Sequence, residues 1–144
     1  VLSKAAWERE VAKAVRLAVR AERYEKRAVH GDRSVQQARD LKRAVKHLEE
    51  AWEIVRDLGP TPDGADDAAV IALRNDVHKR LLNTYLDLGL VYLLRQSIPQ
   101  AEEWCVKACD LDPENAESHT LHKRIIEARL ASQWGISTHK RISR

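Results

Sequence analysis

Apolar positions recur along most of the chain at alternating spacings of three and four, the period of an amphipathic helix. Trp7, Val11, Ala14, Ala18, Ala21 and Ala28 form one such stripe, with Glu25 its one charged member, and Ser3 stands where it can cap the helix they predict, to about Val29. The stripe is mostly alanine, so this helix is expected to pack closely while burying little area. His30-Gly31-Asp32 breaks the pattern. Ser34 and Gln37 have capping-box spacing and open a second helix to about Leu58, with Leu41, Ala44, Val45, Leu48, Ala51, Trp52 and Val55 on its apolar face. Gly59-Pro60-Thr61-Pro62-Asp63-Gly64 is the strongest breaker and reads as the loop between the arms of a hairpin. A third, long helix is predicted from about Asp66 to Arg95. Ser97 with Gln100 repeats the capping-box spacing and opens a short fourth helix to near Cys109. Asp112-Pro113 offers an N-cap and a first-turn proline for a fifth, which runs to about Gln133 and ends at Trp134-Gly135. Nothing alternates with the period of a strand. The expectation is an all-α fold of five helices in antiparallel hairpins. It forms a single domain over 1–133, with 34–133 as its core and 1–30 as a covering helix, and 134–144 follows as a basic tail or linker.

Within residues 82–115 the order of side chains is more specific. Tyr85, Leu88, Gly89 and Tyr92 fall on one predicted helix, Ala101, Cys105 and Ala108 on the next, and Pro113 closes the unit. This order and spacing resembles the tetratricopeptide repeat (TPR), a helix–turn–helix of 34 residues, although Cys105 is smaller than is usual at its position. The physics agrees: Gly89 and Ala101 are small where two helices must approach, and Tyr85, Leu88 and Tyr92 fill the space around them. The resemblance implies a right-handed helical repeat that binds other proteins. Ala44, Leu48 and Ala51 look like the second helix of an earlier repeat, but Ala44 and Ala101 stand 57 residues apart where one repeat gives 34. The long second and third helices and the 59–64 loop account for the excess. An elongated hairpin of this kind is similar to the one ahead of the regular repeats in immunophilin-type co-chaperones. The fifth helix carries Lys123 where a repeat has its small glycine and His119 at a packing position, so it reads as a terminal capping helix.

Chaperone-binding members of that family grip a carboxylate with Lys, Asn and Arg. Here the central Asn position falls on Asp87, and the next Lys and Arg positions fall on Glu117 and Leu121, so the clamp is absent and its acidic ligands are repelled. The groove positions of the third helix instead read Asn83, Leu86, Leu90, Leu93 and Leu94. The stretch from Leu81 to Leu94 is apolar nearly all round, and a helix apolar on every side is expected to be covered on every side. The expected cover is the chain's own first helix, displaceable by a partner's helix or peptide segment, with a second copy of the chain as the other occupant.

The net charge of +3 hides an uneven distribution. Residues 1–47 hold 13 Lys and Arg against 6 Asp and Glu, residues 48–117 hold 6 against 15, and the last 27 residues hold 6 against 1. Basic ends suggest nucleic acid, but Glu8, Glu10, Glu22 and Glu25 are mixed among the arginines and no aromatic stacking platform interleaves them, so a solvated face is the reading preferred. Cys105, Cys109, His119 and His122 form the one metal-like set; their spacing departs from zinc fingers and Cys105 occupies a packing position, so neither metal nor cofactor is expected. No phosphate-cradling glycine loop or nucleophile–base motif occurs, Glu49, Glu50 and Glu53 share an exposed turn, and His47 and His78 stand alone, which argues against an enzyme. Two cysteines fit a reducing, cytoplasmic setting, no apolar run is long enough for a membrane span, and the absence of methionine reads as a segment of something longer. Lys140-Arg141-Ile142-Ser143 has the form of a basophilic kinase site. The expected function is a non-catalytic adaptor or scaffold, the alternative a self-association domain acting through the long helices.

Overall fold

The computed structural model describes residues 2–30, 35–64 and 67–135. Five helices follow in order: α1 (Lys4–His30), α2 (Val35–Val55), α3 (Asp67–Leu94), α4 (Ile98–Leu111) and α5 (Ala116–Gln133), and no strand occurs among the described residues. The fold is all-α, as the periodicity predicts. The chain divides into two compact units, Val1–Thr84 and Tyr85–Arg144, and the boundary falls inside α3. Nothing in the sequence marks it, because α3 has no proline and its one glycine, Gly89, stands five residues beyond Thr84. The Ser34–Gln37 capping box and the 136–144 tail with its kinase-like motif lie outside the described residues.

In the first unit α1 and α2 run antiparallel. Ala14, Leu17 and Ala18 of α1 share a core with Ala51 and Val55 of α2 and Val77 of α3. Trp7 packs with Leu58 and Val70. The alanine stripe therefore does what small residues do, letting helix backbones come close, while Trp7 and Leu17 supply most of the bulk. Glu25, the intruder in that stripe, pairs with Arg80 of α3, whose guanidinium also donates to the Ala18 carbonyl at 2.8 Å. Asp76 adds a second carboxylate at 3.2 Å. Burial alone would lower the Arg80 pKa, but the bonds and charges of Glu25 and Asp76 outweigh it and raise it.

The 56–64 loop is fastened from two helices, α1 and α3. Trp7 Nε1 donates to the Gly59 carbonyl at 3.0 Å. Arg74 of α3 donates to the carbonyls of Val55 and Leu58 at 2.9 and 2.7 Å, filling acceptors that the end of α2 leaves open. Lys4 bridges to Asp63 at 2.7 Å.

In the second unit α3 ends in a Schellman turn. Gln96 takes the left-handed conformation at φ 61°, its amide donates to Leu93 and that of Ser97 to Tyr92, both at 2.9 Å. Ser97 precedes α4 as expected, but its side chain makes no capping bond, so the Ser97–Gln100 box does not form. The start of α5 also differs from the sequence reading. Asp112 closes α4 and turns its carboxylate to the Glu114 amide, while Asn115 is the true cap, accepting from the Ser118 amide at 2.8 Å. Beyond Gln133 the left-handed Gly135, at φ 69°, donates to Ser132 and ends the helix.

Candidate functional site

Tyr85, Leu88, Tyr92, Ala101, Cys105 and Ala108 are all buried, and Pro113 lies exposed in the turn between α4 and α5. A Cβ on Gly89 would stand 2.7 Å from Leu121 Cδ2 and 3.6 Å from the Ala101 carbonyl oxygen, so α5 presses Leu121 into the space the missing side chain leaves. The small Cys105 has its reason in α5, since its thiol donates to the Ser118 carbonyl at 3.7 Å. Burial first, and then Cys109, push that thiol up to about 12, which leaves it protonated and unreactive. The aromatic bulk comes from Trp104 one position earlier, whose ring sits 6.0 Å from Tyr85 with the Lys107 ammonium 5.0 Å above it. The sequence reading missed Trp104 because the repeat pattern weighs only the neighbouring position.

The proposed groove residues lie on one side of α3 but are not equally covered. Leu86 is buried, Leu90 and Leu93 are half-buried, Asn83 is exposed, and Leu94 is 66% exposed. Full burial of the 81–94 stretch thus fails, at Asn83 and Asp87 along it and at Leu94, the last residue of the helix. By helical geometry Asp87 shares the face of Asn83, Leu90 and Leu94. Partial loss of water and then the charge of Glu117 on α5 raise the Asp87 pKa, so the two positions that would serve a carboxylate clamp form a like-charged acidic pair.

The cysteine–histidine set is drawn into other contacts. His119 is exposed, its Nε2 2.7 Å from the Pro113 carbonyl, and His122 is exposed as well. Ser118, not His119, fills the packing position on α5, together with Leu121 and Ile125. Among the described residues no three His, Cys, Asp or Glu are grouped to hold a metal ion, and no helix is long and apolar enough to cross a membrane. His47 and His78, solitary in sequence, each meet an aromatic ring: His47 stacks on Tyr24 at 5.8 Å and His78 tilts against Trp52 at 5.2 Å.

Compared with known proteins, the chain matches no family model, no curated protein and no solved structure.

Proposed function

We propose that the chain is a non-catalytic protein–protein interaction module, a TPR-like adaptor or scaffold for a reducing intracellular compartment, which offers the leucine side of α3 to a helix or peptide of another protein. The observation that carries the reading is the row Leu90, Leu93 and Leu94, apolar and partly open on a helix whose adjoining side packs Gly89 against Leu121. Such a row is the kind of surface an amphipathic partner covers with anchors three and four residues apart. Asp87 and Glu117 set its charge preference. A partner with Lys or Arg beside its apolar anchors fits, and an acidic tail does not. The repeat resemblance supports the same role, and no arrangement of nucleophile, base or ligand on α3–α5 suggests chemistry.

Partner capture by the full chain, compared with a Leu90→Glu/Leu94→Glu variant and read by mass spectrometry, tests the adaptor. Partners should be lost from the variant while its circular dichroism is unchanged. A partner held equally by both would remove the groove from the mechanism. A second reading, self-association, draws support from Ile126, Leu130 and Trp134, a row on and just beyond α5 with Trp134 77% exposed. Sedimentation across a concentration series separates the two, since a stable monomer rules out assembly.

A further inference from the structure

In the first unit the last turns of α1 lie beside the first turns of α2. Gln37 Nε2 donates to the Ala28 carbonyl at 3.5 Å, and Tyr24 stacks on His47. Arg27 and Arg43 each hold their guanidinium carbon 5.7 Å from the centre of the Tyr24 ring. Both helices thus turn a basic stripe to one shared surface. On α1 it is Arg20, Arg23 and Arg27, and on α2 Arg39, Arg43 and Lys46, all spaced by three or four and all exposed.

The glutamates that interrupt these arginines in sequence point elsewhere. Glu25 is given to Arg80, Glu22 pairs with Lys26 at 2.8 Å, and Asp40 is buried and accepts from Gln36. None of the six basic residues is ion-paired with a carboxylate of the described residues. Glu49, Glu50 and Glu53 come only farther along α2. Tyr24, a single aromatic between Arg23 and Lys26 in the sequence, comes between Arg27 and Arg43 once the helices pair.

We infer that this α1–α2 face binds the phosphodiester backbone of a double-stranded nucleic acid. Five of its six basic residues are arginine, whose planar fork pairs two phosphate oxygens at once. The Tyr24 ring holds two of those forks in place, which lowers the ordering cost of the contact. The ring is engaged by His47 and both guanidiniums, so it serves as a mount and not as a free platform for an unstacked base, which favours a duplex over a single strand. Both helices spend their leucines on the interior of the unit and expose only the scattered Val15, Val19, Val29 and Val35, which is a poor fit to a bilayer interface. Arg20 to Arg27 spans about 10 Å of helix, room for about four phosphate contacts once α2 is added.

Fluorescence anisotropy of the full chain with labelled random-sequence DNA and RNA duplexes of about 20 base pairs tests this. Binding at low salt should weaken about two-hundredfold between about 50 and 200 mM salt, a log–log slope near −4. Arg23→Gln, Arg27→Gln and Arg43→Gln should each reduce that slope by about 1, with circular dichroism unchanged. Lys123→Gln/Arg124→Gln on α5 should leave it alone. Binding to either duplex in this manner supports the inference, and the tighter one names the source. Absence of binding at low salt, binding indifferent to the three arginine variants, or equal competition by polyglutamate or phosphatidylserine vesicles would overturn it.

Discussion

Replacing Gly89 by alanine sets two effects of similar size against each other. Alanine in a helix interior is favoured over glycine by about 1 kcal/mol. The added Cβ, however, would lie 2.7 Å from Leu121 Cδ2, closer than carbon atoms tolerate, and Leu121 is itself buried. Overpacking of this kind costs about 1–3 kcal/mol, so the net expectation is a loss of about 1 kcal/mol. Leu121→Ala alone opens a cavity and should cost about 2–5 kcal/mol. In that background the obstruction is gone, and Gly89→Ala should become stabilising by about 1 kcal/mol, leaving only its helix preference. The sign therefore reverses between backgrounds, a coupling of about 2 kcal/mol in a double-mutant cycle. Urea unfolding followed by circular dichroism for the four proteins measures it. The same sign in both backgrounds would refute the close approach of α5 to Gly89. Gly89→Leu should be worse than Gly89→Ala in either background.

Gln96→Gly should stabilise by about 1 kcal/mol in thermal denaturation, because glycine takes the left-handed conformation without penalty. Asp87 has its carboxyl pKa raised on folding, so the folded state holds the proton more tightly and its contribution is largest at acid pH and lost as pH rises through the raised value. Asp87→Asn should therefore stabilise at neutral pH, with the advantage vanishing at low pH in a pH series of urea melts. Arg80→Ala should cost about 3 kcal/mol, since it strands the half-buried Glu25 and frees the Ala18 carbonyl, and Glu25→Gln should cost less. Trp7→Phe, which keeps the ring and removes only the donor to Gly59, should cost about 1 kcal/mol.

Helix positions were readable because period and breakers are local properties. Trp134-Gly135 stops α5 for reasons carried in the residues themselves, whereas α2 ends at Val55, three residues short of Leu58, before the 59–64 run is reached. The end of α3 was placed correctly, but its mechanism was hidden, since glutamine rather than glycine takes the left-handed position and the Ser97 amide is spent on the turn. The cap of α5 was misplaced by three residues because Asp112 and Asn115 are both good caps, and only the fold decides which one faces the first free amides. The shift from His119 to Ser118 has the same origin, as a small polar residue fits against Cys105 where a larger one was assumed. Glu25 looked like a flaw in a stripe until Arg80, 55 positions away, supplied its partner. The convergence of Tyr24, Arg27 and Arg43 is not legible in the sequence, because it depends on the pairing of two helices, which no linear count of charges contains.

The fastening of the 56–64 loop bears on how the protein meets a protease. Its Gly-Pro-Thr-Pro run has the composition of a segment that is readily nicked. Yet to leave the surface and enter a protease cleft it must shed the Trp7, Arg74 and Lys4 contacts, which belong to the starts of α1 and α3 and the end of α2. Opening is then a cooperative event that loosens three helix ends together, and cleavage should follow the free energy of that opening and not the exposure of the loop. Limited proteolysis should spare this site in the wild type and strike it in Arg74→Ala, so its cleavage rate becomes a local gauge of the order of the first unit.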